Sequence, residues 1–169
     1  MTYSDLQQAT EGFFEGMKTE RKRAVTILNA IKERLLAREV PVDNVWFQPP
    51  DTEEQEEEGK IKKRPADIVL DAFPTENENK WRVDLVVHVE GPDLVSHSRF
   101  YNQVGIKFAS PGGTARLFIG EDEVAHTEAN SSPVNQAELA RFCDALFERM
   151  MSSHEPGSVQ RRKIGFSNS

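Results

Sequence analysis

One cysteine, Cys143, is all that the 169-residue chain contains. An internal disulfide is therefore excluded, and so is a Cys-rich zinc site. A basic surplus is missing as well. The 21 Lys and Arg stand against 28 Asp and Glu, for a net charge of −7, which argues against general nucleic-acid binding and fits a soluble protein. No apolar run approaches the roughly 20 residues that span a bilayer. The opening MTYSDLQQATEG has neither the basic start nor the apolar core of a secretory signal. These absences lead to the expectation of a cytoplasmic protein in a reducing compartment, without a membrane partner. No Ser stands in a Gly-x-Ser-x-Gly turn, so that nucleophile arrangement is excluded too.

What is present indicates one domain. At 37% apolar and 29% charged residues, the chain can bury a core and still carry polar excursions. Ser4 and Gln7 have the spacing of a capping box. Leu6, Ala9, Phe13, Met17, Ala24, Leu28, Ile31 and Leu35 then recur at helical spacing, which predicts one long helix over residues 1–39, stopped by Val40-Pro41. Gly12 and Gly16 each weaken it by about 1 kcal/mol relative to Ala. A short apolar piece, VWF at 45–47, ends at Pro49-Pro50. The charged stretch DTEEQEEEGKIKKRP has no apolar period and predicts a flexible loop over 51–64.

From residue 66 to 128 the period changes to two. ADIVLDAF (66–73) and WRVDLVVHV (81–89) flank a turn-rich segment and predict a hairpin. RFYNQVGIKFA (99–109) and TARLFIG (114–120) flank SPGG and predict another, and EVAHTE (123–128) adds a further strand. Loops this short do not make parallel crossovers, so the expected sheet is a four- to five-stranded antiparallel meander. Ser131, Ser132 and Pro133 open a last helix over 133–152, in which Leu139, Phe142, Cys143, Leu146, Phe147 and Met150 keep i, i+3, i+4 spacing. Residues 153–169 read as a flexible basic tail. The fold class is α+β, with the C-terminal helix packed on one sheet face.

The stretch WRVDLVVHVEG (81–91) places Arg82, Asp84, His88 and Glu90 in one polar row, expected to be a solvated or partner-facing surface. Asp84 and His88 lie roughly 13–14 Å apart along a strand and cannot share a metal. His88 and Glu90 converge only with a third ligand from another strand, such as His126 or His97. A hydrolase acting on phosphoesters through His88, Glu90 and His126 is therefore the weaker alternative, with Arg82 or Arg116 holding the anion. His97-Ser98 and His126-Thr127 place each hydroxyl on the opposite face from its imidazole, which removes a two-histidine phosphoesterase. Pro50-Asp51 with Glu58-Gly59-Lys60 spells a nuclease-like pattern, but in a segment without apolar support. Cys143 reads as a buried, inert thiol.

No catalytic set, metal site or cofactor is expected from these residues. The leading expectation is a non-enzymatic protein that works by protein–protein contact: an adaptor, an inhibitor or immunity-type factor, or a subunit of an assembly. Phe13, Phe14 and Met17 on the long helix, with Arg82, Tyr101 and Arg116 on the sheet, are the candidate interaction residues. The partner is another protein or a second copy, the latter as a homodimer through the N-terminal helix. A further alternative is an acidic decoy that imitates nucleic acid through residues 51–58.

Overall fold

The computed structural model describes residues 1–50, 80–93, 96–128, 135–153 and 162–166. Its first element, α1 (Tyr3–Ala37), is one uninterrupted helix of 35 residues, about 52 Å long at the usual rise. The capping box is formed by Thr2 and Asp5 rather than by Ser4 and Gln7. The Thr2 hydroxyl accepts from the Asp5 backbone N–H at 3.3 Å, and the Asp5 carboxylate accepts from the Thr2 N–H at 2.6 Å. This earlier start puts a carboxylate in the first turn, where the exposed backbone N–H groups favour negative charge. The bond from the Thr2 N–H, with a second from the Thr2 hydroxyl at 2.9 Å, holds the Asp5 carboxyl below its ordinary value of 3.8. At the other end the N–H groups of Glu39 and Val40 bond to Leu36 and Leu35 carbonyls. Glu39 takes a φ of 69° to make that turn, a position usually given to glycine.

A 3₁₀ turn, Val42–Asn44, leads into β1 (Val45–Gln48), and the Asn44 amide ties the turn to the His88 carbonyl at 2.9 Å. Then come β2 (Trp81–Glu90), β3 (Ser96–Phe108), β4 (Ala115–Ile119) and β5 (Asp122–Thr127), an antiparallel meander in sequential order. The β2–β3 connection is closed by Asp93, which accepts from the Ser96 N–H and hydroxyl, each at 2.8 Å. Gly91 is required there: a Cβ would lie 2.8 Å from the Ser96 side chain. SPGG forms the β3–β4 turn, as its composition implies, with Ala109 N–H bonded to Thr114 O. The strand paired to β2 on its other side is β1, through Val45↔Val87 to Gln48↔Asp84. The expected strand 66–73 and the loop 51–64 lie outside the described residues.

The last helix, α2 (Gln136–Ser152), begins with Asn135, whose side-chain oxygen accepts from the N–H groups of Ala137 and Glu138. The expected starting residues 131–133 also lie outside the described residues. Within the segment read as a flexible tail, residues Arg162–Phe166 form β6 and pair with the first five residues of β3. The physical reason is length. β3 has 13 residues and β4 pairs only with residues 104–108, so the same edge of β3 stays open along its first half until β6 fills it.

The helices bury one sheet face. Ala24, Ile27, Leu28, Ile31 and Leu35 of α1, with Leu139, Phe142, Cys143 and Leu146 of α2, join Phe47, Leu85, Val104, Ile106 and Leu117 in one apolar cluster. The opposite face is not wet at its centre, which corrects the reading of the 82–90 row as solvated. Trp46, Val86 and Tyr101 make a second buried cluster there. Asp84 is fully buried, and Gln48 beside it is 4% exposed. β1 and β3 flank β2 on both sides, so Trp46 and Tyr101 bracket Val86 in register. The row opens to solvent at its two ends, at Arg82, which is half-buried, and from His88 to Glu90, which is exposed. No helix among the described residues is long and apolar enough to cross a membrane.

Candidate interaction surface

α1 has two halves with different fates. From Ala24 onward its apolar stripe is buried, while residues 1–15 are all exposed. The stripe itself does not stop at that boundary. Tyr3, Leu6, Phe13 and Phe14 continue it at 75%, 63%, 57% and 54% exposure. Phe13 and Phe14 meet edge to face, with ring centroids 5.8 Å apart. Length explains the difference. A ten-residue strand such as β2 reaches about 34 Å, well short of a 52 Å helix.

The transition is fixed by specific contacts. Met17 is half-buried and packs on the edge of the main core. One turn further, the Glu20 carboxylate accepts from the Trp81 indole N–H at 3.3 Å. Arg23 donates to the Gly113 carbonyl at 2.6 Å and to the Pro111 carbonyl at 3.4 Å, with its guanidinium 4.9 Å from the Phe108 ring centroid. These contacts create a groove on each side of Met17. Phe14, Met17, Arg21 and Trp81 line one; Phe13, Met17, Phe108 and Pro111 contribute to the other.

Charge is divided along the same helix. Residues 1–16 carry Asp5, Glu11 and Glu15 and no Lys or Arg, whereas residues 18–23 carry Lys18, Arg21, Lys22 and Arg23 with only Glu20 opposing. Glu15 and Lys18 bridge the junction at 3.2 Å, both well exposed, so that pair contributes little to stability.

The sheet candidates separate into two places. Arg82, Lys107 and Arg116 share the face opposite the helices: Arg82 pairs with Gly105, and Lys107 with Arg116. Arg116 and Lys80 both lie over the Phe118 ring, and they pair with Glu123 and Glu121, each at 3.7 Å. Tyr101 lies further along, buried beside Trp46 and Val86, and offers no open surface.

His88 and Glu90 do not meet His126. Three strand spacings and eight residues of β3 separate them, roughly 30 Å in all. His126 instead stands on β5 beside Glu138 of α2, at 3.7 Å. His88 has a different neighbour, His97, whose ring centroid is 5.2 Å away. The Arg99 Nε–H donates to His88 Nδ1 at 3.3 Å, which occupies that nitrogen as an acceptor beside a permanent cation. Among the described residues no three His, Cys, Asp or Glu side chains gather in a way that could hold a metal ion. Burial pushes the Cys143 thiol up to about 11, against a weaker opposing pull from Arg38 and Arg34, so the thiolate is scarce at neutral pH.

Periodicity placed Leu6, Phe13 and Met17 on one stripe and singled out Phe13, Phe14 and Met17 as candidates, but Tyr3, Trp81 and Pro111 were missed as parts of the same surface. The available signal was the length of the stripe against the length of any strand in the sequence. Comparison with protein-family models, with curated proteins and with solved structures returned no match.

Proposed function

We propose that this protein acts by protein–protein contact through the unsupported half of α1, as an adaptor, an inhibitor or a subunit of an assembly. One observation carries the reading: Phe13 and Phe14, adjacent and more than half exposed, continue a stripe that is core along the rest of the same helix. An isolated helix of about 12–15 residues is marginal in water, and a contiguous apolar surface marks an interaction site more often than an idle one. Grooves beside Met17 extend this surface onto the sheet edge, so a partner would touch both helix and sheet.

A photo-reactive amino acid at position 13 tests this in the native source. The expected result is a discrete cross-linked protein adduct from position 13 and none from position 33, an exposed site on the supported half of α1. No adduct at position 13, or equal labelling from both positions, would sink the reading.

A further inference from the structure

Lys80, Lys107, Arg116 and His126 stand in one row across the sheet face opposite the helices. Lys107 pairs with Arg116, and Arg116 with His126. Trp81 pairs with Ile106, which sets Lys80, one residue earlier, beside Lys107. The Lys80 side chain agrees with this placement: it crosses Gly105, where a Cβ would meet its Cδ at 3.3 Å, and ends 4.1 Å from the Phe118 ring centroid. Like charges directly opposite one another on a sheet are destabilising, in a chain whose 28 acids outnumber its 21 Lys and Arg. Among the described residues, Glu121 approaches Lys80 and Glu123 approaches Arg116, each at 3.7 Å, and Glu138 stands beside His126. None of the described acids pairs with Lys107, the half-buried residue between Lys80 and Arg116.

We propose that this row docks an acidic peptide segment of a protein partner, on a surface separate from the exposed half of α1. Charge complementarity identifies the occupant, and the dimensions narrow it. From Lys80 to Arg116 the row spans two strand spacings, about 10 Å. That exceeds a single phosphate or carboxylate and suits two carboxylates on one side of an extended chain, about 7 Å apart. Nucleic acid fits less well. Phe118 is 8% exposed beneath Lys80 and Arg116, so the row offers no open ring on which a base could stack. The net charge of −7 also repels a long polyanion. A short acidic segment places its few charges only where the local surplus is positive.

Fluorescence anisotropy of a labelled hexaglutamate peptide, titrated with the full chain at low and high salt, is the test. The wild type is expected to bind, and to bind several-fold more weakly at high salt. Lys107→Glu is expected to weaken binding roughly tenfold or more. Its melting temperature should be unchanged or raised, because the new carboxylate faces Arg116. That split separates docking from a structural role, in which loss of Lys107 would lower stability. Lys22→Glu makes the same charge change at an exposed position of α1 and should bind as the wild type does. No binding by the wild type up to millimolar concentration overturns the proposal. Equal weakening in Lys22→Glu also overturns it, because net charge alone then accounts for the effect. Tighter binding of a single-stranded oligonucleotide of the same charge overturns the peptide as occupant. Binding that appears only when residues 51–58 are replaced by Gly and Ser overturns it too, since the row then serves the chain's own acidic segment.

Discussion

The Trp81 indole N–H donates to the Glu20 carboxylate at 3.3 Å, joining the first residue of β2 to α1 where the helix leaves the sheet. Beside it, Arg23 bonds two carbonyls of the β3–β4 turn and stacks on Phe108. Arg23→Ala is therefore expected to cost about 1–2 kcal/mol, the sum of lost hydrogen bonds and a cation–π contact. Arg23→Lys should recover less than half of that, since an ammonium cannot reproduce the planar fork. Urea denaturation of the three proteins checks both statements.

The two glycines of α1 separate propensity from packing. Nothing lies within 4 Å of a Cβ built at Gly12, whereas one at Gly16 meets Pro111 Cγ at 3.1 Å. Gly12→Ala should stabilise the free half of the helix by up to about 1 kcal/mol. Gly16→Ala should gain less, because the proline ring must yield. Amide hydrogen exchange over residues 3–15 reads the first effect directly, and protection unchanged in Gly12→Ala would refute it.

Long helical stripes and two-residue alternation made most of the architecture legible. α1, the meander and α2 each carry an apolar period that follows directly from which face is buried. The ends were harder. Thr2 and Ser4 are both good caps, and the choice depends on the Asp5 carboxylate bonding back to Thr2. β6 could not be read from RKIGF, because its existence depends on an open edge of β3, a matter of strand lengths far away in sequence. The 82–90 row misled for a related reason. Asp84 is polar, yet it is flanked by Gln48 on one strand and Gln103 on another, and its burial reflects neighbours that the local pattern does not encode. On the helix the candidate residues were visible one by one, but the grooves were not, since Trp81 and Pro111 join them only through the fold.

The second apolar cluster yields a direct contrast. Trp46 is 2% exposed against Val86 and Tyr101, on the face that also carries His88 and Arg99. Trp46→Ala should destabilise by about 3–5 kcal/mol, as for any buried aromatic. Phe14→Ala, equally a large-to-small change but on the exposed stripe, should stay within about 0.5 kcal/mol. Equal losses for the two variants in denaturant titrations would contradict this division of α1 and sheet.

Cys143 predicts a pH dependence. Its thiol is held neutral in the fold up to about 11, against an ordinary 9.0. The unfolded chain therefore releases this proton first, and the associated stability is complete below pH 9 and declines as pH rises toward 11. The loss attributable to Cys143 is on the order of 2–3 kcal/mol. It should appear as the change, between pH 8 and pH 11, in the stability difference between wild type and Cys143→Ala, and be absent from the variant alone. In the native state at neutral pH the thiol should also resist thiol reagents, reacting only after denaturation.

The shared edge of β3 has a temporal consequence. Residues 104–108 find β4 within a few residues of leaving the ribosome, but residues 96–100 must wait for 162–166. During that interval half of a long central strand presents unpaired backbone groups, the feature that recruits foreign strands. Chains shortened before residue 162 would keep this window open indefinitely, so the final strand acts as a seal whose absence turns a nascent intermediate into a nucleus for aggregation.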